Sequence, residues 1–412
     1  MYQFMVRVSP NIMNAELLSN FALDAAGLGV LIGIYNWSYS AMQIPLGITM
    51  DRLGPRLLLC VAAGLCALSC FVFGNTTSSF IGGSARFLMG MGSACGLIGT
   101  VKLGIIWFEP KHLAKITGFT ILMGTAGASL GGAPLEMLLN KVGFEKTMEF
   151  LGLIGIGVGL LIYLFVNNHP PIDHHEELPD IYANNHPFTD VALLVKTPQA
   201  WILAMYGMFM YLPITAIGVV WGVSFVKRTA EVSEVVAASV VSTMFLGAAI
   251  GSPCFAFFSD FIKNRRIPMF LGSVITMTVW SIVFVFEVPL YLLYILFFVA
   301  GFAYTAKSLS FAGICEIMPL NMSGVSIAFV NTLVMAAGII FLPVIGILMD
   351  SHWSGQMVND IPYYSIEDYQ FALIIIPIFL AISCIILFFI KETHPDHRIP
   401  KEYGPYIDTD IL

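Results

Sequence analysis

Four basic side chains stand inside otherwise apolar stretches of this sequence: Arg7, Arg86, Lys102 and Lys307. A charge in such a setting needs a counter-ion, a water-filled cavity or a route back to the surface. Lys102 lies close to the end of its stretch and is expected to snorkel outward along its aliphatic stem. Lys307, farther in, either snorkels or lines a cavity. Arg7 and Arg86 lie deeper, each about six or seven residues, or roughly 10 Å, from the end of its helix. A guanidinium holds a carboxylate through two parallel N–H···O bonds and keeps its proton when desolvated. The chemistry on offer is the holding of a small anion. Covalent chemistry lacks its usual signatures, since HExxH and a pair of intramembrane Asp residues are both missing from the sequence. The chain is not expected to be an enzyme.

Three acids stand where they could answer these cations, namely Glu16, Asp24 and Glu136, and Glu136 is favoured because it falls on a helix. A substrate anion that competes with such an acid for an Arg changes how tightly the acid holds its proton, which is a physical route to proton coupling. Asn36, Tyr39, Ser40 and Gln43 recur on one helical face. They form either a water-facing wall or a set of interhelical hydrogen-bonding groups. Trp221, Asn331 and Pro343 are candidates of the same kind later in the chain. The expected substrate-binding set is therefore Arg7, Asn36, Tyr39, Gln43, Arg86, Trp221, Lys307 and Asn331.

Membrane-length helices must position these groups. With 58% hydrophobic and 11% charged residues, the chain falls far outside the range of soluble domains. Apolar spans are expected at residues 26–49, 56–74, 79–107, 116–139, 147–166, 201–226, 235–257, 267–286, 289–313, 325–349 and 369–390. The first span is short: residues 1–14 are apolar apart from Arg7, and a polar connection begins at Asn14. A crossing needs about 20 residues. Either the natural chain starts some way upstream, by roughly 10–30 residues, or the first segment is re-entrant. The expected architecture is an all-α membrane protein of twelve helices in two pseudo-symmetric six-helix bundles, with helix 1 truncated. Its parts are a first bundle over residues 1–166, a linker over 167–200, a second bundle over 201–391 and a tail over 392–412. Basic residues in short loops mark the cytoplasmic side. Alternate loops place eleven Lys and Arg on the side of the linker and both termini, from Arg52 to Lys401, and only Lys141, Lys146, Lys227 and Arg228 on the other. The linker and termini are expected in the cytoplasm.

The seven Cys are scattered without CxxC or metal spacing and read as buried small hydrophobes. The run His169 to Glu177, rich in His and acids, reads as a solvated linker rather than a metal site. No metal, no cofactor and no nucleic acid are expected.

The stretch Gly47-Ile-Thr-Met-Asp51-Arg52-Leu-Gly54-Pro55-Arg56 sets three charges in a very short turn between two spans. It resembles the loop between helices 2 and 3 of the major facilitator superfamily, G-x-L-x-D-R-x-G-R-[RK], with Met50 and Pro55 as departures. A second, weaker copy holds Asp260, Arg265 and Arg266, and in both copies an Arg follows the Asp by five residues. Arg86, Gly90, Gly92 and Ala94 resemble the superfamily's helix 4 signature R-x-x-x-G-x-G-x-A, whose Arg is associated with proton coupling. Gly124, Gly127, Gly131, Gly132 and Pro134 resemble its gating pattern on helix 5, with Ala128 in place of the first Pro; small residues at this spacing also make a tight packing face. The series Arg7-Val-Ser-Pro10, Met42-Gln-Ile-Pro-x-Gly47, Gly92-Ser-Ala94 and Glu316-x-x-Pro319 is similar to phagosomal nutrient transporters of intracellular bacteria, which import amino acids or other small metabolites.

The resemblance implies a secondary transporter of the bacterial inner membrane, working as a monomer and importing a small carboxylate-bearing nutrient with protons. Gating is expected from Asp51, Arg52, Arg56, Gly124, Gly127, Asp260, Arg265, Arg266 and Glu316, and proton coupling from Arg86, Glu136 and Asp24. Export of a drug or metabolite by proton antiport and a transport-dead membrane sensor are the alternatives.

Overall fold

The computed structural model describes residues 1–107, 113–168, 187–318, 323–358 and 361–393. In a bilayer the backbone must satisfy its own hydrogen bonds, and a helix does so within one segment. The first half comprises α1 (Tyr2–Val8), α2 (Asn14–Asn20), α3 (Ala25–Leu53), α4 (Pro55–Gly74), α5 (Ser79–Trp107), α6 (Leu113–Leu130) and α7 (Ala133–Phe165). A helix α8 (Pro187–Lys196) precedes α9 (Pro198–Pro213), which runs through a π-helical segment, Ile214–Trp221, into α10 (Gly222–Ala230). Then follow α11 (Glu234–Phe261), α12 (Arg266–Val285), α13 (Leu290–Tyr304), α14 (Ser308–Ile317), α15 (Ser323–His352), a hairpin of two-residue strands, α16 (Ile366–Leu373) and α17 (Ile375–Ile386).

Among the described residues, nine helical stretches are long and apolar enough to cross a membrane, and α2 with α3 forms a tenth, bent by 105°. One of the nine, Leu122–Phe165, is 44 residues long and breaks at Gly143, whose φ of +83° suits glycine. It therefore holds two passes, which makes eleven, and with the short α1 ahead of them the whole is consistent with twelve. Large apolar side chains such as Phe80, Phe165, Phe257 and Phe261 face outward, as lipid contact permits.

Three details differ from the expected boundaries. The charged stretch after Gly47 is not an open turn. Helix α3 continues to Leu53, Gly54 alone leaves the helix with φ +78°, and Pro55 starts α4; a proline fits the first helical turn because its missing N–H is not needed there. Residues Asn14–Asn20, expected as a polar connection, are helical, with Asn14, Leu17 and Leu18 buried. Of the seven Cys, Cys66, Cys70 and Cys95 are buried while Cys254 is exposed. Facing lipid costs a small apolar group nothing, so sequence polarity does not separate the two settings.

Helix α3 of the first half lies along α15 of the second. A Cβ on Gly29 would meet the Leu342 carbonyl, one on Gly33 the Gly338 carbonyl, and one on Gly346 the Ala25 carbonyl. Small residues let two helix backbones touch where lipid supplies no hydrophobic drive between helices.

Candidate substrate-binding site

Arg7 ends α1, and α1 is seated by the glycines of α6: a Cβ on Gly124 would strike Phe4, and one on Gly127 the Met1 carbonyl. Gly90, one turn after Arg86, lets α5 lie against the Tyr35 carbonyl and Ser38 of α3. These close approaches bring both guanidiniums to one ring. Arg7 Cζ lies 5.9 Å and Arg86 Cζ 4.8 Å from the centroid of Tyr35. Arg7 also faces Tyr39 at 5.8 Å and Tyr211 at 5.4 Å. Lys307, in the short 3-10 turn between α13 and α14, lies 4.7 Å from Tyr211, 5.7 Å from Tyr304 and 5.5 Å from Phe311. Three cations from three helical segments thus converge on a group of tyrosines, each within reach of a ring face.

Arg7 is 7% exposed and Arg86 1%. Arg7 Nη2 donates to Asn36 Oδ1 at 3.0 Å and approaches Met335 Sδ at 3.3 Å. Arg86 Nη1 donates to the Val6 carbonyl at 3.4 Å and lies 3.6 Å from Met89 Sδ. Neither guanidinium, nor Lys307, pairs with a carboxylate among the described residues. Arg7 Nε, Arg86 Nε and Nη2, and Gln43 Nε2 are buried donors without an acceptor among the described residues. A buried cation with unmet donors is costly, and an arriving anion relieves the cost. Asn331 is half-buried one turn before Met335 on α15, and Gln43 one turn after Tyr39 on α3.

Not every expected member joins this group. Trp221 is 1% exposed but lines a separate cavity of ≈ 90 Å³, with Asn14, Lys227, Glu234 and Tyr364. Asp24 caps α3, accepting from the Gly27 N–H at 2.7 Å. Glu136 is fully buried: Asn140 Nδ2 donates to its Oε1 at 2.9 Å, its Oε2 meets no N–H or hydroxyl donor among the described residues, and the carboxyl groups of Glu16 and Glu234 face it. The acids therefore stand apart from Arg7 and Arg86. Tyr35, Tyr211 and Tyr304 were not singled out by sequence; Tyr35 lies one turn before Tyr39 on α3, so extending the polar stripe by a turn would have found it.

At the end of the protein nearer the linker, Arg265 donates to Glu316 Oε1 from Nη2 at 2.7 Å and from Nε at 3.1 Å, with Nε 3.4 Å from Oε2, and to Asp260 at 2.6 Å. Burial alone disfavours the Arg265 charge, but these bonds more than offset it and hold its pKa above the usual guanidinium range. Thr393 Oγ1 donates to Glu316 at 2.7 Å, and Arg266 Nη2 to the Leu387 carbonyl at 3.2 Å. In the first half Arg56 donates to the Tyr163 carbonyl at 2.6 Å and stacks on that ring. The side chains of Asp51 and Arg52, like Pro319 and the His169–Glu177 run, lie outside the described residues.

The opposite end is sealed between the halves. Asp350 of α15 accepts from the N–H groups of Ala25, at 3.1 Å, and Ala26, at 2.8 Å, at the start of α3, and Tyr364 joins at 2.9 Å from the Ala25 nitrogen.

The sequence profile of the Major Facilitator Superfamily matches residues 1–227 and 203–406, which together span nearly the whole chain. The chain is 25% identical over 179 residues to a protein described as the probable L-galactonate transporter of Escherichia coli (strain K12), covering 41% of this chain and 38% of that protein. It is 25% identical over 291 residues to the membrane sensor protein UhpC of Salmonella typhimurium (strain LT2), covering 65% of this chain and 63% of the relative. Both matches span less than two thirds of the relative's own length. Among solved structures, a bacterial homolog of the human lysosomal transporter Spinster, inward-facing and unoccupied, superposes with a TM-score of 0.78 at 16% identity, over 94% of each chain.

Proposed function

The chain belongs to the Major Facilitator Superfamily, and from that premise we propose that it moves a small hydroxylated carboxylate across the membrane by alternating access, importing it together with protons. The observation that carries this reading is the pair of buried guanidiniums, Arg7 and Arg86, on either side of Tyr35 without a carboxylate partner among the described residues. The substrate's carboxylate supplies the absent charge through charge-assisted hydrogen bonds. Lys307, which shares Tyr211 with Arg7, takes a second oxygen of the substrate. The phenols of Tyr39, Tyr211 and Tyr304, with Gln43 and Asn331, suit hydroxyl groups. An α-amino acid would carry an ammonium into a group of three cations; a hydroxy acid brings no such charge. The relative described by its name as an L-galactonate transporter supports the same preference.

Two bundles rock about this central site. In this reading the linker end faces the cytoplasm of a bacterium across its inner membrane, which the basic bias of the loops supports. Glu136, buried with one bare oxygen, is the proton carrier in this scheme, and Asp24 keeps its capping role. At the linker end, the Arg265, Asp260 and Glu316 network with Arg266 serves as a latch, as do Asp51, Arg52 and Arg56 in the first half. The monomer is the working unit.

The test is uptake into proteoliposomes of labelled aldonates, uronates and amino acids, with the outside made acidic. Uptake of a hydroxy acid driven by that gradient is the expected result. Amino-acid uptake alone, or movement driven only by the reversed gradient, overturns the substrate class or the direction. A second reading, a sensor that binds without transporting, draws on the likeness to UhpC. Tight binding with no flux under either gradient would establish it.

A further inference from the structure

Two irregular segments, one from each half, complete each other's hydrogen bonding. The π-helical stretch Ile214–Trp221 gives way to α-helix at Gly222. Where a helix changes from i→i+5 to i→i+4 bonding, backbone groups are released from the regular ladder, and if buried they need other partners. The first half has its own break, the 3-10 turn Ser9–Asn11 between α1 and α2. Asn11 stands on that turn and Asn14 just after it. Asn11 Nδ2 donates to the carbonyls of Ile217, at 2.8 Å, and Gly218, at 2.9 Å, while its Oδ1 accepts from the Val223 N–H at 3.0 Å. The carboxamide of Asn11 thus bridges the register change as a peptide group would. Asn14 Nδ2 donates to the Val220 carbonyl at 2.6 Å and to Ser224 Oγ at 3.2 Å. Both side chains are buried, 1% and 5% exposed. Tyr364, which joins the Asp350 seal, lines the same small cavity as Asn11 and Asn14, so this junction lies at the sealed end.

We propose that Asn11, assisted by Asn14, is the positioning residue that closes this end of the transporter, and that opening it requires the segment 214–224 to change its hydrogen-bond register. The proposal rests on the alternating-access reading but not on the identity of the substrate. In the closed state Asn11→Ala removes three hydrogen bonds from a buried junction and strands the Gly218 carbonyl and the Val223 N–H, the Ile217 carbonyl keeping the Gly222 N–H; in the open state water reaches them. The substitution therefore penalises the closed state alone. With each hydrogen bond contributing about 0.5–1.5 kcal/mol, the open-to-closed ratio should rise about tenfold or more.

The experiment uses the full chain in lipid nanodiscs, with native Cys replaced and spin labels at Ser19→Cys and Glu231→Cys, exposed positions flanking the junction in the two halves. Wild type should show mainly the short distance, and Asn11→Ala should move most of the population to a longer one. Faster hydrogen exchange confined to peptides covering 214–224 should accompany it. A wild-type distance distribution in Asn11→Ala overturns the proposal. If that variant does not purify folded, Asn14→Ala, which removes two bonds and keeps Asn11, must show the same displacement to a smaller degree, and no displacement there is equally fatal. A wild type that never opens at this end under any ligand or pH gradient would instead count against alternating access itself.

Discussion

Arg7 and Arg86 stand on the same tyrosine, their guanidinium carbons 5.9 and 4.8 Å from the centre of the Tyr35 ring. The π-face offsets part of the repulsion between two like charges, but it cannot replace an anion. In the proposed reading the pair binds one.

Arg86→Lys should not restore binding. An ammonium is a compact point charge that cannot form the two parallel bonds, and it loses its proton more readily when desolvated. Loss of one charge-assisted bond, worth roughly 1.5–3 kcal/mol, should weaken binding of a confirmed substrate about tenfold or more. Arg7→Lys should follow less steeply, since the Lys can still lie over Tyr211. Titration calorimetry at one pH decides it, and near-wild-type affinity in Arg86→Lys would demote this residue to a structural role.

Glu136→Gln should separate transport from its driving force. The amide keeps the shape and the contact to Asn140 but cannot release a proton. Counterflow exchange of substrate should continue while accumulation driven by a pH gradient falls to background. The charged groups facing it, Glu16 and Glu234, remain, and Glu234 is paired with Lys227. Accumulation at the wild-type level in this variant would remove Glu136 from the coupling scheme.

Asp350→Ala should loosen the start of α3. Its carboxylate caps two N–H groups there from the other half, and loss of a cap costs about 0.5–2 kcal/mol. Amide exchange at Ala25 and Ala26 should quicken by about three- to thirtyfold, while peptides in α11 and α12 stay as they were. Unchanged exchange at both positions would show that Tyr364 suffices.

Glu316→Gln should depress transport far more than binding. It replaces the carboxylate that holds Arg265 and Thr393, remote from the tyrosine cluster, and so acts on the balance of states rather than on affinity. Arg265 keeps Asp260 in the variant, and a guanidinium stays charged throughout the pH range of an uptake assay. Binding and initial uptake rates measured on one preparation test this, and equal losses in both would argue for a role at the substrate site.

Much of the architecture was legible because a bilayer leaves the chain few options: apolar length and turn residues place most spans within a few residues of the observed helices. The cations were legible for the same reason, since charge stands out against apolar sequence. Their company was not. Met335 lies 328 residues from the Arg7 it touches, and no local period links Tyr211 and Tyr304 to α1. Pairing the acids with Arg7 and Arg86 was a reasonable expectation from depth alone, yet Asp24 is taken by the end of α3, and Glu136 stands between two other acids. The π-helical stretch left no trace either. Ile214–Trp221 reads as an ordinary apolar run, and only the two asparagines at the other end of the chain reveal that its backbone is irregular.

The seam between α3 and α15 carries no side chains at Gly29, Gly33 and Gly346, each of which faces a backbone carbonyl of the other helix. Interlocked side chains must re-sort their rotamers, knob by knob, before one helix can roll over another, and every such step adds to a barrier. Bare backbone against bare backbone has nothing to re-sort. In the proposed cycle this contact would act as a low-friction bearing, leaving the pace to the hydrogen bonds at its two ends.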